Sequence, residues 1–286
     1  MKFIKKICLF AILGVLTQNV LLAVHPKPVY IWKTTTSMSK QPTRLYAYYP
    51  SDSNNKNVSV IICPGGSYHH LGLQHEGHDV AQFFAKQGFT AYVLRYRVSM
   101  YGYHHPAMLE DVQMAIHYVR QKHEQNTALG VVGFSAGGHL ALMAGVFAQQ
   151  NYLQSFDIEN VSNLSPDFIA AVYPVVSMQD SLVHLWSRKS LLGKHFTETE
   201  KEQFSLELQI PNNMPPVFIV AAKDDNVVKY QNSTNLDKAL NIKNIEHFLD
   251  IYEKGGHGFG MSEKKGGKIA LWREKFLIWL QQKGTI

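Results

Sequence analysis

The stretch ALGVVGFSAGGHLALMAGV (128–146) decides the fold of this chain. Residues 128–132 form a short apolar run, which predicts a strand buried on both faces. The segment GFSAG (133–137) then turns the chain into a second apolar run of helical length. A serine between two glycines at a strand-to-helix turn is typical of a nucleophile elbow, whose strained backbone exposes the hydroxyl and leaves little room for neighbouring side chains. We therefore predict that Ser135 is a nucleophile at the end of a central strand.

On both sides of this turn, predicted strands and helices alternate along the chain. The further predicted strands are 45–49, 58–63, 89–94, 168–172, 217–222 and 247–252. The predicted helices are 76–87, 106–123, 136–147, 231–240 and 269–281. Alternation at this spacing predicts the α/β class, with a mostly parallel, doubly wound sheet and helices on both of its faces. Residues 177–214 fit no strand–helix unit, and we predict that they form a small cap inserted over one end of the sheet.

A serine hydroxyl is a weak nucleophile at neutral pH, and it needs a general base that a third group holds in place. Candidates follow the last two predicted strands: Asp224 and Asp225 come after one of them, and His257 lies in the loop GGHGFG (255–260) after the other. The chain order of serine, acid and histidine is the one that this arrangement of strands uses. Consecutive extended residues face opposite sides, so only one of the two aspartates can support the imidazole.

Backbone amides are the usual donors to the oxyanion that forms when a serine attacks a carbonyl group. One candidate is the amide of Ala136, directly after the nucleophile. The others are the amides of Gly66 and Ser67, in the segment PGGSY (64–68) that follows the strand 58–63. Small residues there let the backbone approach a substrate carbonyl.

Six stretches carry a family resemblance: CPGGSYHHLGLQHEG (63–77), LRYRV (94–98), HP (105–106), GFSAGGHLA (133–141), AAKDDNVV (221–228) and GGHGFG (255–260). Together they resemble the short α/β-hydrolases, and in particular the acetyl esterases and acetylxylan esterases related to dienelactone hydrolase-like proteins. The resemblance covers essentially all of residues 24–286.

The resemblance implies the α/β-hydrolase fold and a serine esterase that hydrolyses short acyl esters, often O-acetyl groups on polysaccharides, through an acyl-enzyme and without a cofactor. It selects Asp225 as the acid, because the acid of such hydrolases commonly stands two residues before a Val-Val pair. It also likens the segment 64–68 to the HGGG loop of esterases, with Pro64 in place of the histidine. The chain departs from the pattern at Ser67, which replaces the third glycine, and at Lys223, which precedes the acid pair.

Other polar and aromatic residues near these motifs have several interpretations. His75 and Glu76 either brace the oxyanion loop or line the substrate cleft, and Tyr68 is a further candidate for the pocket. Aromatic residues in predicted loops either stack on sugar rings or only pack against their neighbours; they are Tyr68, Tyr101, Tyr103 and Trp186. The histidines raise the question of a metal, but no cysteine or carboxylate set completes a site, and we expect none. They are His69, His70, His75, His78, His104 and His105.

Residues 1–23 have the basic start, apolar run and small terminal residue of a cleaved signal peptide, so we expect a secreted or periplasmic protein and no permanent membrane span. Removing this segment takes away three lysines and no acid, which lowers the formal net charge from +6 to +3. Such a charge does not indicate a nucleic-acid partner. Cys63 is then the one cysteine left in 24–286, so no internal disulfide is expected.

The favoured function is therefore a secreted serine esterase acting on a short acyl ester or an acetylated carbohydrate. One alternative is a peptidase of the prolyl-oligopeptidase type, which shares the residue order but has an additional gating domain. Another is a catalytically inactive binding protein, because a fold does not fix a function. The sequence does not indicate the glycan, the acetylated position or the oligomeric state.

Overall fold

A computed structural model describes residues 26–32, 38–156, 158, 161, 163–261, 269 and 271–286 of the chain. The predicted signal peptide, 1–23, lies outside the described residues. Within them the strands are β1 (Val29–Tyr30), β2 (Arg44–Tyr48), β3 (Val58–Cys63), β4 (Thr90–Arg95), β5 (Ala128–Phe134), β6 (Phe168–Val172), β7 (Val217–Ala222) and β8 (His247–Tyr252). The helices are α1 (Asp79–Lys86), α2 (Ala107–Lys122), α3 (Ala136–Val146), α4 (Leu185–Leu192), α5 (Glu198–Gln203), α6 (Gln231–Ile242) and α7 (Trp272–Gln282).

These strands form one sheet in the order β1-β2-β4-β3-β5-β6-β7-β8. The pairs β1–β2 and β2–β4 are antiparallel, and all pairs from β4 to β8 are parallel. Strands β3, β5, β6 and β7 are buried along their whole length, as their continuous apolar sequences predict. Because parallel strands end at one edge, the loops after them meet there, which is where open α/β sheets bind ligands.

Helices cover both faces of the sheet. Helices α2, α3 and α6 pack on one face, with buried residues that include Ile116, Leu140 and Leu236. Helices α1 and α7 pack on the other face, through residues that include Phe84 and Phe276. This arrangement confirms the predicted α/β class with a mostly parallel, doubly wound sheet.

Two predicted helices begin three residues before the corresponding helices of the structure. The predicted helix 76–87 begins instead with a wide π-helical turn, Gln74–His78, before α1. In this turn the amide of His78 donates to the carbonyl of Leu73 at 2.7 Å, five residues back. Such single π-helical turns are frequent at functional sites. The predicted helix 269–281 starts later, since α7 begins at Trp272.

The predicted cap, 177–214, contains α4 and α5 and lies beside the carboxyl edge of the sheet. The amide of Leu206 donates to the carbonyl of Val176 at 3.1 Å, and the carbonyl of Phe204 lies 2.9 Å from Nε2 of His139 on α3. Helix α5 starts with a capping box between Thr197 and Glu200, which satisfies its first amides. Among the described residues, no helix has both the length and the apolar character needed to cross a membrane.

Candidate active site

Ser135 occupies a sharp turn between β5 and α3. Its backbone has φ +53° and ψ −119°, a conformation that costs energy for a residue with a side chain. A Cβ on Gly133 would overlap the carbonyl of Gly137, and a Cβ on Gly137 would overlap the carbonyl of Cys63. Both glycines are therefore required for the strand, the turn and the helix to pack this closely.

His257 lies between Ser135 and Asp225, as the sequence predicts. Its Nε2 is 2.9 Å from Oγ of Ser135, and its Nδ1 is 2.6 Å from Oδ2 of Asp225. The other carboxylate oxygen of Asp225 accepts hydrogen bonds from the amides of Val227 and Val228, both at 2.9 Å. These bonds hold a buried carboxylate behind the imidazole, so that the ring can take a proton from the serine with its charged form stabilised.

Asp224 points away from this pair and holds the histidine loop. Its Oδ1 accepts hydrogen bonds from the amides of Gly255 and Gly256, at 2.9 and 2.8 Å. Gly256 has φ +62°, so the loop turns through a backbone conformation that glycine adopts without strain. The two neighbouring aspartates thus have separate contacts, one with the imidazole and one with the backbone that carries it.

The predicted oxyanion loop passes directly over the nucleophile. A Cβ on Gly65 would lie 2.9 Å from Cβ of Ser135, so only glycine fits at this position. The amides of Gly66 and Ser67 donate to no residue that the structure describes, and Ala136 is the first residue of α3, where amides have no acceptor within the helix. Ser67 has φ +57°, so the serine takes the left-handed conformation that a glycine would adopt without strain.

Glu76 braces this loop from the π-helical turn. One of its carboxylate oxygens accepts from the amide of Gly65 at 2.9 Å, and the other accepts from the hydroxyl of Tyr173 at 2.7 Å. The same hydroxyl accepts from the amide of Gly260 at 3.0 Å. The ring of Tyr173 also contacts His257, with centroids 4.8 Å apart. Of the two roles predicted for Glu76, its contacts match bracing and not the lining of a cleft.

Tyr173 was not singled out by the sequence, although it follows β6 at the same edge. It is almost fully buried. Burial, reinforced by the nearby carboxylate of Glu76, raises the pKa of its hydroxyl well above the usual value. The hydroxyl therefore stays protonated and remains a donor to Glu76.

The assignment of Tyr68 to the pocket needs correction. Its side chain is fully buried beneath the loop, and its hydroxyl lies 2.8 Å from Nδ1 of His139. Large rings pack best in the interior, which outweighs the loop position that suggested exposure. His75, in contrast, is partly exposed, and its Nε2 lies 3.7 Å from Oε1 of Glu76, so it remains a candidate for the wall of the cleft.

The histidines that raised the question of a metal are dispersed. His78 is bonded to the hydroxyl of Tyr48, His104 to the carbonyl of Ser190, and His105 packs on Phe204. His69 and His70 contact the ring of Trp186. Within the part of the chain that the structure describes, no group of three or more histidine, cysteine, aspartate or glutamate residues is arranged to hold a metal ion.

A second histidine, His184, lies near the candidate triad at the start of α4. Burial lowers its pKa below the usual value; neighbouring His257 acts in the same direction, and the carboxylate of Asp225 acts against it. Its Nδ1 is 2.8 Å from Oγ of Ser187, which fixes the ring. The sequence contained no signal for this residue, because it belongs to the insertion that fits no strand–helix unit.

Comparisons with known proteins identify the family of this arrangement. A sequence model of the BD-FAE family matches residues 45–240, which include Ser135 and Asp225. This chain belongs to the BD-FAE family. The predicted relationship to the acetyl and acetylxylan esterase-like α/β-hydrolases is thereby confirmed.

Two curated relatives of this BD-FAE protein are larger proteins. The chain is 31% identical over 220 residues to Endo-1,4-beta-xylanase B of Butyrivibrio fibrisolvens, with 75% of this chain and 34% of that protein covered. It is 27% identical over 254 residues to Acetylxylan esterase of Xylanibacter ruminicola, with 86% of this chain and 50% of that protein covered. The chain thus spans about a third to a half of the length of these relatives.

Solved structures with the same fold include two hydrolases. The acetyl ester-xyloside bifunctional hydrolase from Caldicellulosiruptor lactoaceticus superposes with a TM-score of 0.81 and 28% identity, covering 92% of this chain and 99% of that one. A thermophilic esterase from Thermogutta terrifontis superposes with a TM-score of 0.74 and 20% identity, covering 92% of this chain and 94% of that one. Because its sequence identity is only 20%, the similarity to the Thermogutta terrifontis esterase concerns the fold alone.

Proposed function

We propose that this BD-FAE protein is a serine carboxylic-ester hydrolase that removes acetyl groups from an acetylated carbohydrate of the xylan type. The observation that carries the proposal is the continuous hydrogen-bonded line from Asp225 through His257 to Ser135, with bonds of 2.6 and 2.9 Å, beneath amides that have no acceptor among the described residues. The named relatives add the substrate class, since one is an acetylxylan esterase and one an acetyl ester-xyloside hydrolase.

In the proposed reaction, Oγ of Ser135 forms a bond to the carbonyl carbon of the ester while its proton passes to Nε2 of His257. The negative charge moves to the carbonyl oxygen, which accepts hydrogen bonds from the amides of Ala136, Gly66 and Ser67. When the intermediate collapses, the bond to the sugar oxygen breaks, and that oxygen takes the proton from His257. Acetyl-Ser135 remains.

Deacylation repeats these steps with water as the nucleophile. His257 accepts a proton from water, hydroxide oxygen bonds to the acetyl carbon, and the bond to Oγ of Ser135 breaks. The proton returns to Oγ, and acetate leaves. The charge of the imidazolium is balanced in both halves by the carboxylate of Asp225.

Release of acetate from acetylated xylan, acetylated pectin and acetylated host glycans tests the proposal, with Ser135→Ala as the blank. We expect the parent protein to release acetate from acetylated xylan and Ser135→Ala to release none. A parallel assay with p-nitrophenyl acyl esters and amino-acid p-nitroanilides separates the remaining possibilities. Cleavage of the anilides and not the esters would replace the esterase with a peptidase, and cleavage of neither would favour a binding protein.

We also infer that the protein works outside the cytoplasm, where a polysaccharide substrate is accessible. The inference rests on the basic and apolar pattern of residues 1–23. Mass spectrometry of exported protein tests it. A mature chain starting near residue 24 supports export with cleavage, and an intact Met1 on membrane-bound protein would contradict it.

A further inference from the structure

Beyond the amides over Ser135, the oxyanion loop continues into two histidines that meet the cap. The ring of His69 is 5.2 Å from the ring of Trp186, centroid to centroid, and the ring of His70 is 6.1 Å away. The two imidazoles are themselves 6.4 Å apart. The three rings are inclined to one another by 42° to 83° and form one cluster, which we call the Trp186 platform and define as His69, His70 and Trp186.

The platform is accessible to a ligand. The side chain of Trp186 is 49% exposed, and that of His70 is exposed as well. The exposed indole lies beside two imidazoles, so the cluster offers an aromatic face together with polar groups, as many ligand-binding sites do. Trp186 is also well fixed, because the next residues anchor the start of α4: Ser187 bonds to His184, and Arg188 bonds to the carbonyl of Met178 at 2.8 Å.

Two separate connections place the platform beside the candidate triad. On one side, the backbone runs only a few residues from Gly65, which touches Ser135, to His69. On the other side, His184 stands two residues before Trp186, and both His257 and Asp225 act electrostatically on its ring. The platform therefore belongs to the same end of the molecule as Ser135, where groups next to a bound ester extend.

The surface continues past His70 into a shallow groove of ≈ 140 Å³, whose wall includes Leu71, Met100 and Tyr101. Two of these side chains, Met100 and Tyr101, are exposed at 54% and 39%.

The platform combines apolar and polar contacts in the way that a pyranose ring requires. The faces of sugar rings carry C–H groups that pack on aromatic rings, and their edges carry hydroxyls that need hydrogen-bond partners. Nδ1 of His69 is 3.1 Å from Oγ of Ser99, which orients the ring. Its Nε2 makes no hydrogen bond to any residue within the described ranges, so it can bind a hydroxyl.

We propose that the Trp186 platform is a sugar subsite, which binds a pyranose residue adjacent to the acetylated one and so makes the enzyme prefer acetylated oligosaccharides over small acetyl esters. This inference rests on the proposed function and specifies its substrate as a chain and not a single sugar. Trp186 supplies the stacking face, and the two histidines supply the polar edge.

The test compares Trp186→Ala, Trp186→Phe and Leu185→Ala in the full chain. Leu185 is the control, since it is an exposed apolar neighbour in the first turn of the same helix. The readout is KM for acetylated xylotetraose, together with the ratio of kcat/KM on that substrate to kcat/KM on p-nitrophenyl acetate. We expect Trp186→Ala to raise KM and lower the ratio about fivefold to tenfold, which is the usual worth of one aromatic contact.

Trp186→Phe should restore most of the ratio, and Leu185→Ala should keep it within about twofold. Equal ratios for the parent protein and Trp186→Ala would overturn the sugar subsite while leaving the esterase intact. An equal fall for Leu185→Ala and Trp186→Ala would also overturn it, because a general disturbance of α4 would then explain both. A parent protein that cleaves p-nitrophenyl acetate but releases no acetate from the oligosaccharide would instead reject the proposed substrate class.

Discussion

The hydroxyl of Tyr173 donates a 2.7 Å hydrogen bond to Glu76 and thereby connects the two loops that face Ser135. Through Glu76 it reaches the amide of Gly65 in the oxyanion loop, and through its own oxygen it holds the amide of Gly260 in the histidine loop. A buried carboxylate that accepts from two donors is stable. If it loses one donor, the unpaired oxygen is destabilising because it has also lost its contact with water. This pair therefore helps to fix the relative position of the oxyanion donors and the imidazole.

Glu76→Gln should lower kcat about tenfold to a hundredfold with little change in KM. The amide oxygen can still accept from Gly65, but the NH2 group then faces Tyr173, whose hydroxyl loses its acceptor. The link to Tyr173 is therefore weakened by about the free energy of a charged hydrogen bond. Steady-state kinetics on p-nitrophenyl acetate measures this. Asp79→Asn is the matched control, because it makes the same chemical change a few residues away in α1. Equal kinetics of the two variants would assign Glu76 a structural role only.

Tyr173→Phe should remove the same link from the other side. The ring contact with His257 is kept, while Glu76 loses a donor and the amide of Gly260 loses its acceptor, for a cost of about 1–3 kcal/mol in the free energy of unfolding. Urea unfolding and kcat should be measured for both single variants and for the double variant. Because the two residues act through one bond, the effects on kcat should be clearly non-additive. Additive effects would show that the two loops are not coupled by this pair.

Ser135→Ala should abolish ester hydrolysis, with a loss of about 10⁴-fold or more in kcat. The variant should fold normally, because the hydroxyl bonds to His257 and fills no core volume. Circular dichroism and unfolding in urea establish the fold, and p-nitrophenyl acetate establishes the activity. A correctly folded variant with near-normal turnover would overturn the assignment of the nucleophile.

The two adjacent aspartates should respond differently to amide substitution. Asp225→Asn should lose on the order of 10⁴ in kcat, since the amide can no longer stabilise the imidazolium or fix its tautomer. Asp224→Asn should lose far less, because an amide oxygen still accepts from Gly255 and Gly256. The pair is internally matched, with the same change at neighbouring positions. A reversed ranking would move the acid to Asp224.

The parts of the fold and the site that the sequence predicted have short-range signals. The bounds of β3, β6 and β7 agree with their predicted ranges because a continuous apolar run marks each of them, and those of β8 agree as well. Ser135 is recognisable because the five consecutive residues 133–137 determine the conformation of its turn. The resemblance to a known motif then ranked Asp225 over Asp224, a choice that local pattern alone leaves open.

The contacts that the sequence did not predict join residues far apart in the chain. Tyr173 and Glu76 are separated by 97 positions, and nothing near either residue indicates the other. Tyr68 illustrates the opposite error: a residue in a functional loop suggested a pocket, but its ring is buried against His139. His184 and Trp186 belong to an insertion without periodicity, so their approach to the site depends on how α4 packs.

A last prediction concerns acid stability and the buried ring of His105. Burial lowers the pKa of this imidazole to about 4, and the negative charge of Glu200 opposes the shift without cancelling it. Its Nδ1 is buried without a hydrogen-bond partner among the described residues. In the unfolded chain the pKa of the imidazole is about 6.5. Between pH 6.5 and 4 the unfolded chain therefore binds a proton at His105 that the folded chain does not bind. Above pH 6.5 the buried neutral ring therefore does not reduce the free energy of unfolding. As the pH falls below 6.5 the free energy of unfolding decreases, and the decrease is complete once the pH has fallen through about 4.

His105→Phe should remove this decrease in the free energy of unfolding at low pH, which amounts to roughly 3 kcal/mol at most for a pKa shift of this size. A phenyl ring preserves the packing on Phe204, where the centroids are 4.4 Å apart, and leaves no unpaired nitrogen behind. The free energy of unfolding should thus be similar to that of the parent protein at pH 7.5 and higher at pH 4.5. Urea unfolding at both values measures the difference, and His117→Phe, at a less buried histidine whose pKa burial also lowers, should show a smaller difference of the same sign. Parallel stability curves for the parent protein and His105→Phe would show that His105 titrates normally in the folded chain.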